Sequence, residues 1–208
     1  MVHKIPKWFQ RMFPGYTWQL PNGQKTIYLT FDDGPIPEIT EWVLDTLKKY
    51  NIKASFFVVG ENVSKHPEIF RKLVKDRHVV GNHTFHHVRG WETSTPVYLV
   101  DAGLCKEVIM ENGGDEPKYF RPPHGRIKPS QAKELRNQYE LLMWNVLTID
   151  YDKNFNKEKC LRNSIKATSK GAIVVFHDSL KAEKNLKYVL PRYIEHFQSQ
   201  GYSFEPLP

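Results

Sequence analysis

Only two cysteines occur in the 208 residues, so neither a disulfide framework nor a cysteine-based zinc site can be assembled. No stretch approaches the roughly 18 uninterrupted apolar residues needed to cross a bilayer. Basic residues outnumber acidic ones, 30 to 23, for a net charge of +7 and a pI near 9.3. They are dispersed along the chain, which argues against nucleic acid as a partner. Linkers, solenoid-length repeats and low-complexity tracts are also missing, leaving one principal domain, and 40% hydrophobic content can bury a sizeable core.

What the chain does have is an alternation of short β-rich runs and helical patterns. Strands are predicted at 26–31, 55–59, 78–82, 118–121, 140–145, 172–177 and 202–206. Helices are predicted at 37–49, 63–76, 95–112, 128–137, 156–168 and 184–199. Seven strands separated by six helices imply parallel β/α units. Pro191 inside the last helix predicts a kink or a helix start near it. Cys105 falls with Val97, Val100, Leu104 and Val108 on the apolar side of one predicted helix, and Cys160 lies near the start of another; both read as packing residues.

Residues 30–35, Thr-Phe-Asp-Asp-Gly-Pro, place two adjacent carboxylates where an apolar strand breaks into a turn. Crowded carboxylates at a strand end resist desolvation and need a cation, a shared proton or strong hydrogen bonds. A metal with one aspartate as ligand and the other as base satisfies both. Residues 83–87, His-Thr-Phe-His-His, offer imidazoles four positions apart. Asp33, His83 and His87 together make a two-histidine, one-carboxylate set that leaves coordination positions open.

Arg121 ends the fourth predicted strand, Asp150 follows the fifth and His177 ends the sixth, all at carboxyl ends. In a parallel β/α barrel those ends form one face, where active sites are built. The segments around them read Arg-Pro-Pro-His-Gly at 121–125, Trp-Asn-Val-Leu-Thr-Ile-Asp-Tyr-Asp at 144–152 and Gly-Ala-Ile-Val-Val-Phe-His-Asp at 171–178. With the two earlier motifs and in this order, the chain resembles the polysaccharide deacetylase family, the NodB homology domain of carbohydrate esterase family four, over about residues 26–206.

The resemblance implies an α/β fold, a distorted, incomplete TIM-like (β/α)7 barrel with parallel strands. It implies a metal-dependent hydrolase that removes N-acetyl groups from an N-acetylated amino sugar in peptidoglycan, a chitin-like polymer or another glycan. Alternatives are an O-acetyl carbohydrate esterase and a carbohydrate-binding protein without turnover. By resemblance, Asp33, His83 and His87 hold one divalent ion, zinc first and cobalt, nickel or iron(II) as alternatives. Asp32 is the general base, Arg121 holds it, His177 is the acid and Asp150 orients His177. The backbone N–H of His124, after Pro122 and Pro123, serves the oxyanion. Read from the residues themselves, Tyr151 lies on the substrate pocket wall, and Trp91 and Trp144 are rings on which a sugar can stack, with core packing as their alternative. The chain departs from the commonest family pattern at three places: His124 replaces Tyr, Leu147 replaces Asp and Tyr151 replaces Trp. The remaining histidines, His3, His66, His78, His86 and His196, read as structural or solvated.

Residues 1–25 form an N-terminal extension ahead of a catalytic domain at 26–208. In the extension Ile5, Trp8, Phe9, Met12 and Phe13 follow helical spacing, with Lys4, Lys7 and Arg11 on other sides. Packing on the barrel is the expectation, with weak membrane-surface contact through residues 1–20 as the alternative. The segment is too interrupted for a signal peptide, which needs a continuous apolar stretch of about 7–15 residues. The sequence alone therefore reads as cytoplasmic, whereas the resemblance points to the cell envelope. A monomer is expected.

Overall fold

The structure, a computed structural model, describes residues 3–21 and 23–208; residues 1, 2 and 22 of the expected N-terminal extension lie outside it. The run Thr-Ile-Tyr-Leu-Thr-Phe-Asp forms strand β1 (Thr26–Asp32), buried at every position. A strand covered on both faces needs such a continuous run. Around it are β2 (Ser55–Val58), β3 (Val79–Asn82), β4 (Tyr119–Phe120), β5 (Glu140–Leu141), β6 (Val146–Leu147), β7 (Ala172–His177) and β8 (Ser203–Glu205). Their order is β5-β4-β3-β2-β1-β7-β6, with β8 pairing the start of β1, and every pairing between these strands is parallel. The curled, all-parallel sheet flanked by helices bears out the expected distorted barrel.

The helices are α1 (Lys7–Arg11), α2 (Ile39–Lys49), α3 (Gly60–Lys65), α4 (Pro67–Lys75), α5 (Thr95–Glu111), α6 (Pro129–Leu135), α7 (Lys157–Ala167) and α8 (Glu183–Ser199). One core lies between sheet and helices, with Phe56, Phe31 and Phe176 stacked across three adjacent strands at centroid distances of 4.9 and 5.9 Å. A smaller apolar cluster, including Tyr28, Phe57, Tyr119 and Ile173, forms separately. Cys105 and Cys160 are buried and unpaired, as packing residues should be.

Four local expectations change. The helix predicted at 63–76 is two helices that meet at His66, because Pro67 lacks the N–H to continue the first and is suited to start the second. The strand predicted at 140–145 is two short pieces; in the stretch between them Leu142 O and Met143 O accept from Arg121 and Asn145 O accepts from Ile5. Helix α8 starts at Glu183 and runs through Pro191. On α5 the inner face is Tyr98, Asp101, Ala102, Cys105, Val108 and Ile109, while Val97, Val100 and Leu104 are exposed.

The N-terminal segment runs along the outermost pieces of the sheet. Thr17 N–H donates to Leu141 O and Met143 N–H donates to Thr17 O, at 2.9 and 2.8 Å. Ile5 N–H donates to Asn145 O and Leu147 N–H donates to His3 O, both at 2.9 Å. Unpaired strand edges are thereby covered. Phe9, Phe13, Tyr16 and Trp18 pack together, and Trp8 and Met12 remain exposed.

Candidate active site

Parallel pairing puts Asp32 in register with His177, at the carboxyl ends of β1 and β7. Asp32 is buried, and its Oδ1 accepts from Arg121 Nη1 at 2.6 Å. Arg121 is wholly buried; it also donates to Thr30 Oγ1, Leu142 O and Met143 O, and its guanidinium stacks 4.0 Å from the Phe57 ring. Such a charge is tolerated inside because its N–H groups find acceptors and its plane finds an aromatic face. The second carboxylate oxygen of Asp32 is left for the cleft.

Asp33 follows at φ 89°, and its carbonyl accepts from Asn62 Nδ2 at 2.7 Å. Ligand atoms of Asp33, His83 and His87 all lie within 4.8 Å of one another. His87 Nε2 is 3.4 Å from Asp33 Oδ1. His83 Nδ1 is 2.6 Å from Arg121 O, so Nδ1 carries the proton and Nε2 keeps its lone pair. Burial lowers the pKa of both imidazoles, which leaves them neutral, the form that ligates. One acidic oxygen and two neutral imidazoles at this spacing fit a divalent cation.

His177 is held from the other side. Its Nδ1 is 2.8 Å from Asp150 Oδ1, and its N–H donates to Asp150 Oδ2 at 2.8 Å. Burial alone would depress the His177 pKa, but the buried Asp150, with Asp33 and Asp32 beyond it, raises it to about 9. The edge of the Tyr151 ring packs against His177, centroids 4.9 Å apart.

These groups open onto one cleft of about 460 Å³, lined by Asp32, Asp33, His83, His87, His124 and His177 with Trp144, Leu147 and Tyr151 on its wall. That volume suits a small ligand or part of a polymer. Asp150 and Arg121 stand behind the cleft as supports. His124 lies at φ 59° in the turn Pro123–Gly125, its ring 4.8 Å from that of His87, and Pro123 is buried. Trp91 is not on the cleft wall; it is exposed, and Nε1–H donates to Ile127 O. Asp33, Thr84, His87, His124 and Ile149 all have positive φ. Such conformations cost about 1–3 kcal/mol each and collect at sites that hold reactive groups in fixed positions.

Two supporting carboxylates lay outside the sequence reading. Asp178 Oδ1 accepts from Gly34 N–H at 3.1 Å, and its Oδ2 accepts from Thr40 Oγ1 at 2.6 Å. Thr40 Oγ1 in turn accepts from Ile36 N–H, so Asp178 pins the turn that carries Asp33. Asp101, buried on α5, accepts from Phe85 N–H, His86 N–H and His86 Nδ1, which fixes the loop between His83 and His87. Asp178 directly follows His177 in a quoted motif, a signal in plain view; Asp101 had only its polarity within an apolar helix.

A buried carboxylate and a histidine beside three donors that fit a cation, at the carboxyl face of a parallel barrel, match the layout of a metal-assisted hydrolase. The polysaccharide deacetylase family profile matches residues 19–143. A peptidoglycan-N-acetylglucosamine deacetylase of Bacillus cereus is 34% identical over 194 residues, covering 91% of this chain and 90% of the relative. The peptidoglycan-N-acetylmuramic acid deacetylase PdaA of Bacillus subtilis is 32% identical over 189 residues, covering 88% of this chain and 70% of the relative. A crystal structure of a peptidoglycan N-acetylglucosamine deacetylase superposes with a TM-score of 0.90 at 29% identity, over 98% of this chain and 95% of that one. The chain belongs to the polysaccharide deacetylase family.

Proposed function

We propose that this protein hydrolyses the N-acetyl group of an amino sugar within a glycan of the peptidoglycan type and releases acetate. The observation that carries the reading is the register pairing of Asp32 with His177 beside the Asp33, His83 and His87 donor set. A base and an acid on neighbouring strands reach opposite ends of one amide bond. Bound by those three donors, a divalent ion, zinc before cobalt, nickel or iron(II), supplies a Lewis acid for the acetyl oxygen and lowers the pKa of water.

Asp32, steadied by Arg121, accepts a proton from the attacking water through its free carboxylate oxygen as the new C–O bond forms. Negative charge gathers on the acetyl oxygen, and the His124 N–H is assigned to it. Protonated His177 then donates to the sugar nitrogen as the C–N bond breaks, because an amine anion is too poor a leaving group to depart alone. Asp150 keeps that proton on His177 and fixes the ring. Trp144, Leu147 and Tyr151 shape the pocket for the sugar. Residues 26–208 are assigned the catalytic role, and the preceding segment covers the sheet edge beside the cleft. The cell envelope, where peptidoglycan lies, is the place of action on this reading.

Acetate release should be measured on N-acetylated chitooligosaccharides, on peptidoglycan fragments and on O-acetylated xylan. Turnover of an N-acetylated glycan with slower turnover of the ester is expected. Turnover of the ester alone would replace this reading with an esterase.

A further inference from the structure

The charge at the cleft mouth narrows the substrate class, an inference that rests on the deacetylase reading above. Apart from Asp32 and Asp33, the charged side chains lining the cleft are the cations Arg89, Arg126 and Lys181, with His177 behind them paired to Asp150. Both aspartates are committed, Asp32 to Arg121 and Asp33 to the cation site. Arg89 is offset by Glu92 at 3.2 Å. Arg126 and Lys181 form no ion pair among the described residues.

Arg126 is also held in place. Its guanidinium lies 5.1 Å over the Trp91 ring, and Trp91 is anchored by its bond to Ile127 O at 3.2 Å. A guanidinium over a ring still has N–H groups to bind a carboxylate through two parallel hydrogen bonds, and Arg126 is exposed at the cleft. A cation fixed on a ring loses little freedom when it captures an anion. Trp91, absent from the cleft wall, thus acts through Arg126.

We propose that the cleft selects an anionic N-acetylated glycan over a neutral one. A carboxylate on the sugar or on its substituent docks on the Arg126 edge, and Lys181, from the loop after β7, supplies the second positive charge. Arg126 is the specificity-determining residue.

The test compares kcat/KM on three probes: a neutral N-acetylglucosamine tetramer, a peptidoglycan glycan strand stripped of peptide so that its N-acetylmuramic acid carboxylates are free, and the same strand with peptides attached. The wild type should favour one of the two anionic strands over the tetramer by roughly tenfold or more. Whichever strand leads identifies the source of the carboxylate. Arg126→Gln should cut that preference to near unity, chiefly through KM, and Arg126→Lys, which keeps charge but not the two-pronged edge, should fall between. Added salt should erode the wild-type preference. Equal efficiency of the wild type on all three probes, or an intact preference in Arg126→Gln and Lys181→Gln alike, overturns the proposal and leaves the deacetylase reading standing. No turnover of any probe overturns both.

Discussion

Arg121 and Asp32 are each nearly or wholly buried, 2.6 Å apart, so neither can be removed without stranding the other. Loss of one partner of such a pair costs about 3–5 kcal/mol. Arg121→Ala should therefore lower the denaturant midpoint by that equivalent and abolish turnover. The adjacent aspartates should separate cleanly by role. Asp33→Asn should lose metal on equilibrium dialysis with little change in stability, since Asp33 is only partly buried. Asp32→Asn, which retains an acceptor for Arg121, should keep metal and lose turnover by about 10²- to 10⁴-fold. Equal loss of metal in both variants would contradict that division. His177 gives the pH dependence. Its folded pKa of about 9 lies above the ordinary 6.5, so its stabilising contribution is complete below about 6.5 and disappears as pH rises through about 9. As the proposed acid, His177 loses its proton over the same range, so kcat/KM should fall on the alkaline side. Asp150→Asn removes the main raising influence and leaves burial opposed only by Asp33 and Asp32, which should move the His177 titration in chelated protein, followed by NMR, downward from about 9. No downward movement would refute the pairing.

At the level of elements, the turn from β1 into α2 depends on Asp178. A Cβ on Gly34 would come 2.0 Å from Asp178 Oδ2, so Gly34→Ala must expel the carboxylate that pins the turn. Asp178→Ala leaves the Gly34 N–H without its acceptor, for about 1–3 kcal/mol, and should weaken zinc affinity on the order of 10- to 100-fold in calorimetry. Unaltered affinity would confine Asp178 to stability. The same contacts explain what the sequence concealed. Asp32, Asp33, His83, His87 and His177 stand in motifs beside apolar strands, and strand direction alone gathers them. Asp178 and Asp101 act on backbone N–H groups whose positions depend on loop conformations with positive φ, which no periodicity reports. Asp101 also explains the shifted face of α5. A carboxylate turned inward to hold Phe85 and His86 rotates the helix away from the phase that its apolar residues alone would choose. Pro67, by contrast, was a legible break inside the helix predicted at 63–76.

Across the whole molecule, parallel β/α order was readable from alternation alone, whereas the path of the N-terminal segment was not. Its bonds to residues 141–147 pair distant backbone groups without a strand-like hydrophobic pattern. Those bonds back the stretch that contributes Trp144 and Leu147 to the cleft wall. Deletion of residues 1–20 should leave several buried backbone groups unpaired at about 1–3 kcal/mol each, lower Tm and promote self-association through the uncovered edge. Light scattering and thermal melts would record this, and a deletion as stable and monodisperse as the full chain would show the segment to be dispensable. The chemistry of the molecule as a whole is tested most directly by acetate release from an N-acetylated peptidoglycan strand, using protein stripped with a chelator and then given zinc, with Asp32→Asn alongside. Release should stop on stripping and return with zinc in the wild type, and should not return in Asp32→Asn with zinc bound at wild-type stoichiometry. Release undiminished by stripping, or full release by zinc-loaded Asp32→Asn, would contradict a metal-assisted deacetylase that relies on Asp32 as its base.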